Sequence, residues 1–302
     1  MHNFGRTDMS VSPLGLGTSQ FAKASFEEAS RVLHSALDCG LTVIDTAECY
    51  GQSEEIIGRA VSHRRSDYYL FTKCGHAEGE FSLPDWHPHL LELSIDRSLR
   101  RLKTDYIDLI QLHSCSEQIL RRGEVIDVLQ RARSAGKVRY IGYSGDRRAA
   151  RYAIDYGAFD ALQVSINIAD QEAFDHLLPA AQAKQMGIIA KRPLANVAWK
   201  SRQKPDNPIQ AIYWQRLAEL RYGFLNGDID EAVSIALRFT LSVADVAIVG
   251  TTKPDRIQKN LALLAAGSLS EQQFENIRAR WKAATRWRKW IPGSQWGWQA
   301  VV

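Results

Sequence analysis

The sequence of 302 residues predicts a single α/β domain, a (β/α)8 TIM barrel that extends over residues 1–302. Short apolar runs alternate with amphipathic helical patterns along the chain, which is typical of parallel strands joined by crossover helices. We count eight such units, the number that closes a barrel. A doubly wound open sheet is the alternative, and it is disfavoured because no GxGxxG turn follows the first strand.

The first unit shows how the elements are predicted. Residues 12–17 form an apolar opening strand, and Ser25 and Glu28 then have the spacing of a capping box. Apolar residues recur at helical spacing until Gly40, where the helix ends. The eight strands are predicted at 12–17, 41–45, 69–73, 106–113, 138–144, 161–166, 187–191 and 246–250. The later helices are predicted at 53–61, 87–102, 125–135, 147–156, 170–184, 228–241 and 254–266.

Two segments lie outside the repeating pattern. A long loop, 196–227, contains a predicted helix at 208–222, and the C-terminal region, 270–302, contains a helix at 271–290 and a tail. Loops on a rigid scaffold commonly carry binding residues, so we expect both segments to shape a pocket. Tryptophans in the tail and after the third strand are candidates to line it: Trp86, Trp296 and Trp298. The alternative is that they cover the outer surface or a dimer contact.

Composition limits the function classes. The net charge is +4 with a pI near 8.8, and no block of like charge suggests a nucleic-acid partner. No apolar run approaches the roughly 18 residues of a membrane span, and the polar start lacks a signal-peptide core. The four cysteines have no CxxC spacing, which favours a reduced, cytoplasmic protein. A small-molecule substrate is therefore expected, and the oligomeric state stays open.

Four residues with matching chemistry follow successive strands. Asp45 and Tyr50 come after the second strand, Lys73 after the third and His113 after the fourth. The carboxyl ends of barrel strands meet at one mouth, where barrel enzymes hold their active sites. A phenol has a pKa of about 10, and a buried ammonium nearby stabilises its anion. The ammonium itself needs a carboxylate partner, and an imidazole can orient a substrate oxygen.

This set predicts a proton donor for carbonyl reduction. Each residue alone has an ordinary structural explanation, and only their joint occurrence at neighbouring strand ends favours catalysis. Three cysteines close to these positions leave open an oxidation-sensitive mouth or a metal site with a histidine: Cys49, Cys74 and Cys115. No metal is predicted, because the spacing of metal ligands is missing and cysteine is commonly a small buried hydrophobe.

Residues 45–54, DTAECYGQSE, resemble the signature of the aldo-keto reductase superfamily. The segments at 71–73 and 112–113 resemble its other catalytic segments, and the resemblance extends over nearly the whole chain. It implies that Tyr50 is the general acid, that Lys73 lowers its pKa, that Asp45 pairs with Lys73, and that His113 orients the carbonyl. The implied reaction is reduction of an aldehyde or ketone to an alcohol by direct hydride transfer from NADPH.

The resemblance also implies positions that hold the cofactor across the barrel mouth. These are in the first strand, near the carboxamide, beside the nicotinamide and around the adenosine phosphate: Gly17, Thr18, Ser144, Gln163, Lys191, Arg192, Pro193, Leu194, Gly250, Thr251, Thr252, Lys253, Arg256 and Asn260. Asn167 lies with Gln163 in a segment similar to the family's QxxxN.

Residues 250–256 can also be interpreted without the resemblance. Pro254 opens a helix whose first amides can bind an anion. Arg256 adds a planar cation suited to a 2′-phosphate. The alternative is that Thr251, Thr252 and Lys253 only cap this helix.

Three positions depart from the family pattern. Gly145 stands where many relatives have asparagine, Lys191 or Arg192 where many have an aromatic residue, and Lys259 where an acid is frequent. These departures leave room for a different class of function, an NADP(H)-binding regulatory or sensor protein with slow turnover. A barrel hydrolase or isomerase is a third possibility, weakened by the lack of an evident metal cluster or nucleophile pair.

Overall fold

The computed structural model describes residues 1–77 and 81–285. Its strands are β1 (His2–Asn3), β2 (Ser10–Val11), β3 (Leu14–Gly17), β4 (Val43–Asp45), β5 (Tyr69–Cys74), β6 (Ile107–His113), β7 (Val138–Ser144), β8 (Ala161–Ser165), β9 (Gly187–Lys191) and β10 (Val246–Gly250). Strands β3 to β10 are parallel and close into a barrel in chain order, with β10 beside β3. The predicted single-domain (β/α)8 barrel is thereby confirmed.

Helices surround the barrel. They are α1 (Phe26–Asp38), α2 (Ser53–Val61), α3 (Pro88–Leu102), α4 (Glu117–Arg122), α5 (Glu124–Ser134), α6 (Arg147–Tyr156), α7 (Glu172–His176), α8 (Leu178–Ala183), α9 (Pro208–Leu220), α10 (Ile229–Leu241), α11 (Asp255–Leu264) and α12 (Glu271–Thr285). The capping box of α1 forms as predicted: the Ser25 side chain accepts from the Glu28 amide, and the Glu28 carboxylate accepts from the Ser25 amide at 3.1 Å.

One helix prediction was wrong in detail, and one helix was missed. The helix predicted at 170–184 is divided into α7 and α8, because Pro179 in the first turn of α8 has no amide proton and clashes with a preceding helical turn. Helix α4 was not predicted, since six residues are too few for a helical period to show. Trp296 and Trp298 lie outside the described residues, as does the end of the helix predicted at 271–290.

A short antiparallel hairpin, β1 with β2, covers the N-terminal end of the barrel. Phe4 and Met9 from this hairpin are fully buried in one cluster with the first inward residues of the strands, such as Val43 and Phe71. The ring of Phe4 lies over Gly187, where a Cβ would come within 2.4 Å of it. The sequence did not predict this hairpin, because strands of two residues are too short to show alternation.

The barrel interior changes from apolar to polar along each strand. Successive residues of a strand point to opposite faces, so residues two apart share the interior. The apolar layer near the hairpin contains Val43, Phe71, Leu109 and Ala161. Two residues further along the same strands stand Asp45, Lys73, Gln111 and Gln163, all of them buried. This polar layer leads directly to the carboxyl-terminal mouth.

The long segment between β9 and α10 is folded against the barrel. It contains α9 and two short 3-10 helices, Ala195–Lys200 and Gly223–Asn226. Tyr213 of α9 is buried in a cluster with Phe239 of α10 and Trp281 of α12. The predicted loop therefore packs as a structured extension. No helix in residues 1–77 or 81–285 has the length and apolar character that crossing a membrane requires.

Candidate active site

The ammonium of Lys73 and the carboxylate of Asp45 form a buried ion pair at the ends of neighbouring strands. Nζ of Lys73 lies 2.6 Å from Oδ1 of Asp45 and 2.8 Å from the carbonyl oxygen of Thr46. The two side chains are 1% and 5% exposed. A charge taken so far out of water needs a partner of opposite charge, so each ion depends on the other for its ionised form.

Tyr50 lies in the turn between β4 and α2, and Gly51 with φ of 55° allows the chain to reverse there. Nζ of Lys73 is 5.4 Å from the centroid of the Tyr50 ring. Burial raises the pKa of Tyr50 above its ordinary value of 10, while Lys73 lowers it and Asp45 raises it. The phenol consequently keeps its proton at neutral pH, next to an ammonium whose charge favours the phenolate form.

His113 ends β6 on the other side of Tyr50. The two rings meet edge to face, with centroids 5.8 Å apart and planes at 78°. Burial first, and then the electrostatic influence of Lys73, hold the pKa of His113 well below its ordinary 6.5. The ring is therefore neutral at physiological pH, and one of its nitrogens carries a proton that it can donate.

Gln163 connects this group to the predicted carboxamide site. Its Nε2 donates to Oδ2 of Asp45 at 2.8 Å, and its Oε1 accepts from Oγ of Ser144 at 2.8 Å. Ser144 itself pairs with His113 in the register of β6 and β7. The sequence predicted Ser144 and Gln163 as cofactor contacts but gave no sign of the bond to Asp45, which crosses the barrel interior.

Trp86 lies near the same mouth, separated from Tyr50 by the rings of His113 and His76. Its indole packs edge to face on His76 at 5.2 Å, and the His76 ring is 5.4 Å from that of His113. The indole also covers Gly75, where a Cβ would come within 2.1 Å of the ring. This position is compatible with the predicted contact between Trp86 and substrate, which stays a prediction.

Sequence reasoning missed a set of ionisable groups that contact these rings and their backbone. Glu48 accepts from the backbone amide of His76 at 2.8 Å and from Nη2 of Arg97 at 3.0 Å. His76 in turn bonds Oδ2 of Asp85 through Nδ1 at 2.9 Å and the carbonyl oxygen of His113 through Nε2 at 3.2 Å. The signal was present in the sequence, since Glu48 stands between Asp45 and Tyr50 in the signature.

On the opposite side of the mouth, Lys191 forms an ion pair that the sequence analysis did not predict. Its Nζ lies 3.0 Å from Oδ2 of Asp146, and Oδ1 of Asp146 accepts from the amide of Ser165 at 2.8 Å. Arg192 donates from Nη1 to Oγ of Ser165 at 3.0 Å. Asp146 follows the end of β7, and its place at a strand end was the available signal.

The segment around Arg192 is held by hydrogen bonds to its backbone. Nδ2 of Asn167 donates to the carbonyl oxygen of Arg192 at 3.0 Å. Oγ1 of Thr240 donates to the carbonyl oxygen of Pro193 at 3.2 Å, and Leu194 packs against two of the apolar clusters. The predicted nicotinamide segment therefore has a fixed backbone at the mouth.

The structure explains the glycine at 145. A Cβ at this position would lie 2.5 Å from the hydroxyl oxygen of Tyr143. That hydroxyl is committed to a 2.6 Å hydrogen bond to the carbonyl oxygen of Cys115. An asparagine side chain would require this buried bond to break, and the neighbouring Asp146 does not replace it, because its carboxylate is engaged by Ser165 and Lys191.

The two predicted cofactor residues of the first strand have structural roles of their own. A Cβ at Gly17 would lie 2.6 Å from a methyl carbon of Ile248 in β10. Thr18 is fully buried, donates to the carbonyl oxygen of Asp45 at 3.0 Å and accepts from Oγ of Ser53 at 2.8 Å. Packing therefore accounts for both residues, and their contact with a cofactor stays a prediction.

The segment after β10 presents cations to solvent. Oγ1 of Thr251 accepts from the amide of Lys253 at 3.0 Å and shapes the turn into α11. Thr252, Lys253 and Arg256 are exposed, and no carboxylate of the described residues lies within 4 Å of either cation. Gly250 pairs with Gly17 at the barrel rim, and Asn260 lies further along α11.

Lys259, by contrast, is engaged on the same helix. Its Nζ lies 2.8 Å from Oδ2 of Asp230 in α10. The turn before α11 and its first residues therefore offer Lys253 and Arg256, and not Lys259, to an added anion such as a phosphate.

The cysteines around the mouth differ in environment. Burial raises the pKa of Cys115 to about 12 and that of Cys74 well above its ordinary value. These two thiols are therefore poor nucleophiles, because the thiolate is the reactive form. In the described part of the chain, no three His, Cys, Asp or Glu side chains gather as ligands for a metal ion.

Comparison with known proteins agrees with this geometry. The sequence model of the Aldo/keto reductase family matches residues 13–282. The chain is 26% identical to the uncharacterized oxidoreductase YqkF of Bacillus subtilis, an alignment that covers 92% of this chain and 95% of that protein. It is 27% identical to the L-galactose dehydrogenase of Arabidopsis thaliana, over 85% of this chain and 86% of that protein.

A bacterial relative and a solved structure extend the comparison. The NADH-specific methylglyoxal reductase of Escherichia coli is 27% identical, over 86% of this chain and 92% of that protein. The holo form of aldo-keto reductase AKR11C1 from Bacillus halodurans superposes with a TM-score of 0.79 at 26% identity, covering 92% of this chain and 95% of that one. This chain belongs to the aldo/keto reductase family and is an NAD(P)H-dependent oxidoreductase.

Proposed function

We propose that this enzyme reduces an aldehyde or a ketone to an alcohol with NADPH, and that Tyr50 is the proton donor. The proposal rests on the position of the Lys73 ammonium, which contacts the buried carboxylate of Asp45 and lies close to the phenol ring of Tyr50. Tyr50 donates its proton to the carbonyl oxygen, and Lys73 stabilises the phenolate that results. Asp45 keeps Lys73 charged in this buried place.

His113 completes the carbonyl site. Nδ1 contacts Sγ of Cys49 at 3.4 Å, and Nε2 has no partner among the residues described. A neutral imidazole can donate from Nε2 to the same oxygen that Tyr50 protonates. Two donors that converge on one oxygen orient the carbonyl, and they stabilise the negative charge that develops on the oxygen.

The residues present fit a dinucleotide. The hydroxyl oxygen of Ser144 and the amide oxygen of Gln163 each keep a lone pair that can accept from a carboxamide. Lys253 and Arg256 offer two exposed cations for a phosphate. When bound, the reduced nicotinamide ring supplies the hydride that reduces the carbonyl carbon. We assign the preference for NADPH over NADH to Arg256, whose guanidinium can donate two parallel hydrogen bonds to a 2′-phosphate.

A panel of aldehydes and ketones, assayed with NADPH and with NADH, tests this function. We expect oxidation of NADPH, followed by loss of absorbance, with at least one class of carbonyl compound and a lower kcat/KM with NADH. Tyr50→Phe is the matched control, because it removes only the donating hydroxyl and keeps the ring contact with His113. Equal turnover by the wild type and this variant would reject Tyr50 as the proton donor.

One feature favours an alternative, an NADP(H)-binding regulatory protein with slow turnover. Gly145 offers no side chain to a carboxamide, and the Ser144 hydroxyl already donates to Gln163. Tight binding of NADPH, seen as quenching of protein fluorescence, together with negligible turnover across the panel would support this alternative over the reductase.

A further inference from the structure

The ring of His76 connects the segment after β5 to the end of β6. Its Nδ1 lies 2.9 Å from Oδ2 of Asp85, and its Nε2 lies 3.2 Å from the carbonyl oxygen of His113. The side chain of His76 is buried, with 8% of its surface exposed. His113 is the last residue of β6, so one of these two contacts reaches the backbone of the residue that we expect to orient the carbonyl.

Both partners of the His76 ring are hydrogen-bond acceptors. A backbone carbonyl oxygen has no proton to give. Burial raises the pKa of Asp85, but the hydrogen bonds from His76 and from the Ala77 amide outweigh it and hold this pKa below its ordinary value. Asp85 is therefore a carboxylate at neutral pH. A neutral imidazole has one proton, so the two contacts are both hydrogen bonds only when each ring nitrogen of His76 carries a proton.

The charged groups around His76 are consistent with a cation at this place. Asp85 lies against Nδ1, and no other carboxylate of the described residues is within 4 Å of the ring nitrogens. Glu48 accepts from the backbone amide of His76 at 2.8 Å, and burial raises the pKa of Glu48 to about 8. The neighbouring ring of His113, 5.4 Å away, is held neutral by its own burial. Asp85 is thus the counter-ion that the ring contacts.

The contact with His113 lies where the chain leaves the barrel. Ser114, the next residue, has φ of 69°, in the left-handed region. Such a conformation costs a residue other than glycine on the order of 1–3 kcal/mol, and neighbouring contacts must offset it. His76 holds the carbonyl before this turn, and the Ser114 amide donates to the carbonyl oxygen of Ser144 at 2.7 Å after it. The direction of the His113 ring toward Tyr50 depends on this backbone.

The other contact of His76 lies beside a second strained residue. Trp86, which follows Asp85, has φ of 66°, and its amide donates to the carbonyl oxygen of Gly75 at 2.9 Å. The Trp86 indole packs on the His76 ring with centroids 5.2 Å apart. His76 therefore lies between two strained turns, one next to the proposed substrate contact and one next to the proposed carbonyl donor.

We propose that His76 is an imidazolium that positions His113, and that Asp85 keeps the second proton on the His76 ring. His76 acts through the backbone of His113 and does not contact the substrate. This inference rests on the proposed reductase function and adds a positioning residue to it. A carboxylate next to the ring favours its charged form across the neutral range, and a charged donor makes the stronger hydrogen bond to the carbonyl oxygen.

NMR of protein with ¹⁵N-labelled histidine measures the charge of His76 without any turnover. The two ring nitrogens of an imidazolium have similar chemical shifts, whereas those of a neutral ring are widely separated. We expect the imidazolium pattern at neutral pH, assigned to His76 by its loss in His76→Phe. Asp85→Asn should change it to the neutral pattern. A neutral His76 ring in the wild type at neutral pH overturns the proposal.

His76→Phe tests the positioning role, because it keeps an aromatic ring against Trp86 and removes both hydrogen bonds. We expect kcat to fall about tenfold, the effect of one hydrogen bond from a charged donor, while the dissociation constant of NADPH stays near the wild-type value. His89→Phe is the matched control, since His89 is exposed on α3 and faces Glu92. Thermal unfolding of each variant checks that the barrel is intact.

A double-mutant cycle separates positioning from a general loss of structure. If His76 acts through His113, adding His76→Phe to His113→Ala should lower kcat little further, because no imidazole is left to position. A loss of about tenfold in both backgrounds overturns the positioning role and leaves the reductase function intact. Failure of the wild type to reduce any carbonyl compound of the panel rejects the reductase function and this inference with it.

Discussion

Sγ of Cys49, the residue immediately before Tyr50, lies 3.4 Å from Nδ1 of His113. If the thiol donates to Nδ1, the single proton of the neutral ring is held on Nε2, the nitrogen that would face the carbonyl oxygen. Cys49→Ala removes this bond, while Cys49→Ser keeps a hydroxyl that can donate in the same place.

We expect Cys49→Ala to lower kcat by about three- to tenfold, the effect of one hydrogen bond. Cys49→Ser should retain most of the wild-type kcat. Steady-state kinetics with one aldehyde measures both. The ring ¹⁵N chemical shifts of His113 report which nitrogen is protonated, and an unchanged spectrum in Cys49→Ala would contradict the proposed role of the thiol.

Tyr50→Phe should lower the rate of reduction by about 10²- to 10⁴-fold, because general acid catalysis contributes on that order. Binding of NADPH, followed by fluorescence quenching, should stay near the wild-type value, since the phenyl ring still fills the space beside His113. A large loss of cofactor binding would mean that the hydroxyl has a different role.

Lys73→Met should abolish activity and also destabilise the fold, because it leaves the buried Asp45 carboxylate without its counter-ion. Breaking one partner of a buried ion pair costs about 3–5 kcal/mol. Urea unfolding measures this loss. The double variant Lys73→Met/Asp45→Asn should recover part of the stability and none of the activity, and a double variant less stable than the single one would argue against the pair.

The pH profile of reduction should be flat across the neutral range. Burial raises the pKa of Tyr50 above 10, so the donor keeps its proton and activity falls only at strongly alkaline pH. Burial also holds the pKa of His113 well below 6.5, so no acid limb should appear near that value. A plot of kcat/KM against pH checks both limits, and a limb close to 6.5 would show that His113 is charged in solution.

Arg256→Ala should weaken NADPH binding by about 10- to 100-fold, the effect of a charge-assisted bond to phosphate, and weaken NADH far less. Lys259→Ala is a suitable control on the same helix, because Lys259 is already paired with Asp230. Fluorescence titration with both dinucleotides gives the dissociation constants. Equal losses for NADPH and NADH would place the 2′-phosphate at other residues.

The sequence by itself determined the barrel and singled out the four side chains that we propose take part in the reaction. Alternation of apolar runs with helical patterns is a local property, because each strand or helix buries one face or stripe, and it can be read residue by residue. Asp45, Tyr50, Lys73 and His113 could be grouped because strand ends of a parallel barrel meet at one mouth. The hairpin of residues 2–11 escaped notice, since its strands are two residues long.

Only the tertiary structure decided the contacts across the mouth. The bond from Gln163 to Asp45 joins residues 118 positions apart. The pair of Lys191 with Asp146 joins the end of β9 to the segment after β7, and these two strands are not adjacent. Gly145 could be seen as a departure in the sequence, yet its reason, the Tyr143 hydroxyl at 2.5 Å from a would-be Cβ, needed coordinates. Side-chain contacts of this kind depend on barrel closure and rotamers, which local sequence patterns do not encode.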